Sequence, residues 1–243
     1  MAINERHDQI LNLIKNDRSV TVKELTERLF VSEATVRRDL GEMQRLGLIE
    51  RTHGGAVIAG NADEISHFVR VVKNAKEKEQ IASRALEHLP FFNSVFIDGS
   101  STALALAQRM NLEHKTVVTY NLQTALQLSK KPNINLISLG GSVHYNTVSA
   151  TGAWTAKQVG EFRFDLFISS CSAIHGREVL ESSADQKEIK QTALRRSAFK
   201  ILLADHTKFT ANAVYRSSET SEYDLVVTDR PLPENEGIEN LVL

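Results

Sequence analysis

A chain of 243 residues, 42% of them hydrophobic, can fold as one large domain or two smaller ones and is too polar for a membrane protein. No run approaches the ~18 uninterrupted apolar residues of a spanning helix. The formal net charge of −1 gives no global pull toward nucleic acid, and the single cysteine, Cys171, excludes an internal disulfide. No Cys/His group has zinc spacing, and the charged start MAINERHDQI lacks a signal-peptide core, so a soluble cytoplasmic protein without metal or cofactor is expected.

Residues 3–16 space Ile3, Ile10, Leu11, Leu13 and Ile14 between charges, which predicts an amphipathic helix ending at Asn16-Asp17. Thr21-Val22-Lys23-Glu24 has capping-box form and opens a short second helix with Leu25 and Leu29 inward. After Phe30-Val31, Ser32 is a suitable N-cap for a third helix over Glu33–Leu46. There Val36, Leu40, Met43 and Leu46 share one face, and Ala34, Arg37, Arg38, Gly41 and Arg45 share the other. A helix entering a major groove needs that division, because arginines reach phosphates or guanine edges and small residues admit the backbone. A solvated arginine face on a bundle helix has the same pattern.

Residues 47–51 form an expected strand after a glycine stop, His53-Gly54-Gly55 a tight turn, and Ala56–Ile58 a second strand. Three helices and a hairpin in under 60 residues describe a winged helix, with Arg51, Thr52 and His53 at the wing; His53 is alternatively an ordinary turn residue. Residues 1–59 hold nine lysines and arginines and nine aspartates and glutamates, so DNA binding rests on where the arginines sit. The run from Val31 to Leu40 (VSEATVRRDL), followed by Gly47 to Ala56 (GLIERTHGGA), resembles the signature of the DeoR family of bacterial transcription regulators. By that resemblance Ser32, Thr35, Arg37 and Arg38 contact operator DNA. Arg45 on the same helix face and Arg51 and His53 at the wing join them as DNA-contact candidates, and Asp39 reads as a structural partner that orients an arginine.

Residues 60–80 are polar and read as a solvated connector running into a helix with Ile81, Ala82, Ala85 and Leu89 inward. Six apolar runs then alternate with helical segments: Val95–Asp98, Thr116–Tyr120, Asn135–Gly140, Asp165–Ser170, Lys200–Asp205 and Asp224–Asp229. Their length and their Val, Ile, Leu and Phe content predict buried parallel strands in an open, doubly wound sheet, where ligands bind at strand carboxyl ends. The fold expected is thus α+β multidomain: a winged helix-turn-helix over 1–59, a linker over 60–80, and an α/β open parallel-sheet domain over 81–243.

Several strand ends carry polar groups. Asp98-Gly99-Ser100-Ser101-Thr102 precedes a helix, and a glycine with three hydroxyls at a helix N-terminus can cradle phosphate; it can also be a plain capped turn. Asp98 would repel a phosphate, so it either accepts from a sugar hydroxyl or holds the loop. Tyr120 and Asn121 follow the second strand, Gly140 and Gly141 the third, and Asp205 with Lys208 the fifth; the glycine pair and the Asp205–Lys208 pair alternatively serve ordinary turns. The family resemblance extends through this region, on Asp98–Thr102, on Gly140, Gly141 and Gly152, and on the Asp-x-x-Lys-Phe segment Asp205–Phe209. It implies a domain similar to ribose-5-phosphate isomerase that binds phosphorylated sugars or related metabolites. A symmetric homo-oligomer, dimer or tetramer, is expected to set the spacing of the winged helices. Where the family has Asn directly after the second-strand Thr, this chain has Tyr120.

The function expected is a DNA-binding repressor of a carbohydrate-metabolism operon, controlled by a phosphorylated sugar. One alternative is a sugar-phosphate isomerase or deaminase, which needs a carboxylate base at the substrate carbon. Asp165, Asp185, Glu188 and Lys190 are available, but no compact acid/base motif stands out. The other is a DNA-binding protein whose large domain only oligomerises.

Overall fold

The computed structural model describes residues 5–17, 19–45, 48–58, 67–231 and 237–243. The expected roles of Ile3, Leu46 and Gly47, and of the first part of the linker (60–66), lie outside the described residues. The chain divides into two compact units, 1–73 with 145–147 and 74–144 with 148–243.

The first unit opens with α1 (Glu5–Asp17), β1 (Ser19–Thr21), α2 (Val22–Leu29), α3 (Glu33–Arg45), β2 (Ile49–Thr52) and β3 (Gly55–Ile58), followed by α4 (His67–Val72). The expected capping box forms: Glu24 N–H donates to Thr21 Oγ1 at 3.2 Å, and Thr21 N–H donates to the Glu24 carboxylate at 2.7 Å. Ser32 Oγ accepts from Thr35 N–H at 3.2 Å and starts α3 as anticipated. Ile10, Ile14, Leu25, Val36, Leu40 and Met43 close the core with no exposed surface. The hairpin has its turn at His53-Gly54. β1, absent from the sequence reading, pairs antiparallel with β3 (Thr21 against Gly55) and gives the wing sheet the order β1-β3-β2.

The second unit begins with α5 (Ala75–Glu87), so the later part of the expected linker is helical. There follow β4 (Ser94–Ile97), α6 (Ser101–Arg109), β5 (Thr116–Thr119), α7 (Leu122–Leu128), β6 (Asn135–Ser138), β7 (Ser142–His144), β8 (Ser149–Thr151), α8 (Ala153–Gly160) and β9 (Phe164–Ser170). The chain finishes with β10 (Ala173–His175), β11 (Glu178–Glu181), α9 (Ala184–Arg196), β12 (Ser197–Leu203), a 3-10 turn at His206–Phe209, β13 (Tyr215–Glu219), β14 (Leu225–Val227) and β15 (Leu241–Val242). All six expected strands are present, as β4, β5, β6, β9, β12 and β14, and β15 adds a seventh. They form one parallel sheet in the order β15-β14-β12-β9-β4-β5-β6.

Alternate strand residues face opposite sides. Phe96, Val118, Phe167 and Leu202 pack with Ala156, Val159, Ile189 and Ala193 of α8 and α9. Val95, Val117, Ile168 and Ile201 pack with Ile81, Ala85, Leu106 and Ala107 of α5 and α6. Winding reverses between β4 and β9, which puts the topological switch point, where such sheets hold ligands, beside Asp98 and Ser170. A small antiparallel sheet, β10-β11-β13, and the hairpin β7-β8 were not foreseen. No described helix is long and apolar enough to cross a membrane.

Candidate functional site

Two regions collect the residues singled out by the sequence, one in each unit. On α3, Val36, Leu40 and Met43 are buried while Ala34, Arg37, Arg38 and Arg45 are exposed, as the spacing requires. At its N-terminus Ser32 Oγ and Thr35 Oγ1 share a hydrogen bond of 2.9 Å. Arg37 makes an i,i+4 pair with Glu33 at 3.2 Å, whereas Arg38, Arg45 and Arg51 make no ion pair among the described residues. Exposed pairs of that kind hold a side chain weakly, so Arg37 remains able to exchange its partner. Arg51 and His53 are exposed on β2 and its turn.

Asp39 points the other way. It is 3% exposed and accepts from Arg6 of α1 at 2.5 and 3.1 Å, with His7 Nε2 at 3.6 Å. Burial alone would push its carboxyl up; the Arg6 guanidinium outweighs burial and holds it below its ordinary value. The arginine it orients thus belongs to α1, not to the arginine pair on its own helix.

At the switch point the central residue is Asp98, with no exposed surface. Its carboxylate accepts from Ser100 N–H at 2.9 Å, Ser170 N–H at 2.9 Å and Ser169 Oγ at 3.0 Å, and meets Lys190 Nζ at 3.1 Å. Burial would raise its pKa, but Lys190 and the Ser100 and Ser170 donors pull it below the ordinary value. One donor meets Oδ1 and three meet Oδ2, which ties the carboxylate to the loop and to the end of β9, the loop-holding arrangement that was one of the two roles open to it from sequence. Lys190, on the inward face of α9, also donates to Glu181 at 2.7 Å and to the Ser170 carbonyl at 2.7 Å. Burial would lower the lysine pKa, yet the two carboxylates carry it well above the usual value. Glu181 is displaced upward by burial, against the pull of Lys190.

The other expected residues gather unevenly around this triad. Ser100 caps α6, accepting from Ala103 N–H at 3.1 Å, and Ser101 and Thr102 are buried in its first turn. A Cβ on Gly99 would meet Ser149 Oγ at 2.8 Å and the Tyr120 ring at 3.2 Å, so only glycine fits this close approach. Tyr120 and Asn121 are wholly buried; the tyrosine ring stacks on Phe96, and Asn121 caps α7 while donating to Ser149 Oγ at 3.0 Å. Asp205 caps the 3-10 turn through Thr207 and accepts from Asn74 at 3.2 Å. Lys208 is half-buried in that turn; its backbone N–H donates to the Asp205 carbonyl at 2.9 Å, while its ammonium has no hydrogen-bond partner among the described residues and lies near enough to Glu181 to lower its pKa.

Gly140 and Gly141 stand apart. The Gly140 carbonyl accepts from Thr155 and Gln158 at 2.8 and 2.9 Å, and a Cβ on Gly141 would sit 2.1 Å from Thr155 Oγ1. Close packing against α8 accounts for glycine at Gly141, whereas a Cβ on Gly140 would meet no neighbour within 4 Å.

Sequence reasoning missed Glu181, met Ser169 and Ser170 only as the end of the fourth strand, and met Lys190 only as a candidate for catalysis. Asp165, another such candidate, lies at the opposite end of the sheet, where it accepts from Asn93 and Ser94. An open cavity of about 830 Å³ lies beside the amino end of β14; of its four cations, Lys200 and Arg216 are paired with Asp224 and Glu178, while Lys187 and Arg195 make no ion pair among the described residues. No group of His, Cys, Asp and Glu among the described residues could hold a metal ion.

Comparison with known proteins matches residues 6–61 to the DeoR-like helix-turn-helix domain and residues 73–230 to the DeoR C terminal sensor domain. The chain is 32% identical to the HTH-type transcriptional regulator GolR of Listeria innocua, over 94% of this chain and 91% of that one. It is also 32% identical to the glycerol-3-phosphate regulon repressor of Escherichia coli K12, over 96% and 93%. The lactose phosphotransferase system repressor of Lactococcus lactis is 29% identical over 93% and 91%. Among solved structures, ribose 5 phosphate isomerase A from Neisseria gonorrhoeae shares 14% identity at a TM-score of 0.40, covering 56% of this chain and 53% of that one. Matched along nearly its whole length, the chain belongs to the DeoR family of DNA-binding transcription regulators.

Proposed function

We propose that the chain is a cytoplasmic repressor of a carbohydrate-metabolism operon whose grip on operator DNA is set by a phosphorylated sugar. The observation that carries the reading is the exposed arginine face of α3, uncommitted at Arg38 and Arg45, set opposite a fully buried stripe and followed by a wing bearing Arg51. In this reading Ser32, Thr35, Arg37, Arg38, Arg45, Arg51 and His53 meet the operator. A homo-oligomer, dimer or tetramer, presents paired DNA readers to repeated half-sites.

The phosphorylated sugar binds at the strand carboxyl ends. The first turn of α6 and the Lys208 ammonium supply the anion's donors, and the Asp98 triad fixes the loop beneath them. Relatives named for glycerol-3-phosphate and for a sugar phosphotransferase system support that effector class. An isomerase reading is the weaker one, since all three charged members of the triad are engaged with one another. A gel shift on the DNA upstream of the chain's own gene, titrated with sugar phosphates at fixed salt, tests the proposal. An effector that couples by about 1–3 kcal/mol changes operator affinity roughly 5- to 150-fold. Binding that no sugar phosphate alters would remove the sensor half of the reading.

A further inference from the structure

Phe30 is unfavourable twice over. It ends α2 at φ 54° and ψ 42°, in the left-handed region, where a Cβ costs about 1–2 kcal/mol and glycine costs nothing. Its side chain is 93% exposed, more than any other large hydrophobic residue described, so it returns no burial to the isolated fold. Its neighbour Val31 does pack on the core. Backbone and side chain both favour glycine here, and a residue kept against both is a sign of use in another state.

Its position says which state. Phe30 stands two residues before Ser32, which caps α3, and five before Thr35, whose hydroxyl bonds that of Ser32. Phe30 thus stands exposed just before the N-terminal end of the helix whose exposed residues include Arg38. We infer that Phe30 is an operator-contact residue whose ring packs on the deoxyribose faces of the DNA backbone flanking the major groove. The contact is apolar, so it adds affinity without releasing counterions, beside arginines that do release them. This rests on the proposed reading of α3 as the recognition helix.

The test uses full-length protein and a duplex enriched from a random pool by the wild type. Phe30→Gly should raise the thermal midpoint of the DNA-binding unit, because left-handed strain is removed. It should also weaken duplex binding by roughly tenfold while leaving the slope of log affinity against log salt unchanged. Phe30→Tyr, which keeps the ring, should bind close to wild type. Opposite changes in stability and affinity separate a contact from a folding defect. Phe30→Gly binding as tightly as the wild type would overturn the inference, as would an affinity loss matched by a lower thermal midpoint. Arg38→Ala, read on the same duplex, separates the two claims. If Arg38→Ala loses binding and Phe30→Gly does not, only the Phe30 contact fails; if the wild type enriches no duplex, the recognition-helix reading itself fails.

Discussion

Replacing Lys190 by methionine removes the only cation within ion-pair distance of Asp98 and Glu181 among the described residues. All three side chains are nearly sealed from water, with Asp98 at 0%, Glu181 at 2% and Lys190 at 3% exposure. Breaking a buried pair by removing one partner costs about 3–5 kcal/mol, because the stranded charge keeps its desolvation penalty. For a domain of this size each kcal/mol moves the thermal midpoint by about 2–4 °C, so a fall of roughly 6–20 °C is expected. Trp154, the sole tryptophan, lies in the second unit and reports its unfolding by fluorescence.

The penalty also carries a pH signature. Glu181 has a raised pKa in the folded chain, so the stability it contributes is present below its ordinary pKa and is lost as pH rises through the raised value. Asp98 is depressed, so its contribution is present above its ordinary pKa and is lost as pH falls through the lowered one. Without Lys190 both carboxyls move upward, and the variant's deficit should widen between about pH 5 and pH 8. Adding Glu181→Gln should recover part of the loss, a coupling of about 0.5–3 kcal/mol in a double-mutant cycle. A deficit under about 1 kcal/mol, or one equal at both pH values, would refute the assignment of a charged buried triad.

Arg38→Ala should cost about 1–3 kcal/mol of operator binding in a gel shift, and Arg37→Ala less, since Arg37 must first leave Glu33; equal or negligible losses would count against the placement of α3 in the groove. Lys208→Ala should abolish the effector's influence on the gel shift while leaving effector-free operator binding intact, because its ammonium holds no other described group in place. Gly141→Ala should lower the thermal midpoint by the equivalent of about 1–3 kcal/mol, since the new Cβ would overlap Thr155 Oγ1 and sit 2.7 Å from the Thr151 carbonyl. An unaffected midpoint would show that the turn can shift.

The strands and the recognition helix were legible because their signals are local. Val36, Leu40 and Met43 declare a helix face within eight residues, and runs such as Asp165–Ser170 declare a buried strand. β1 was not legible: its three residues become a strand only by pairing with β3, 34 to 38 positions away. β15, two residues long, has no pattern of its own, and β10, β11 and β13 are joined only by tertiary contact. The triad was hidden for the same reason, since Asp98 lies 72 positions from Ser170 and its partner Lys190 is further still. One sign was present: Lys190 falls in the buried stripe of α9 with Gln186, Ile189, Ala193 and Leu194, where a lysine needs a partner. For Gly141 the pattern was visible but its cause was not, because close packing and ligand approach call for glycine equally.

The balanced charge of the first 59 residues has a consequence for how such a protein finds its site. Asp39 is spent inward on Arg6, and Glu24 on its own helix start, while Arg38, Arg45 and Arg51 face out unpaired. Non-specific attachment to duplex scales with phosphates neutralised, about −0.9 in log–log salt slope for each, so three or four arginines give a slope of only about −3 to −4 per reader. A reader of this kind lingers briefly on unrelated sequence and is little titrated by the bulk of the chromosome. In the proposed reading its discrimination rests on a few arginines, on α3 and on the wing.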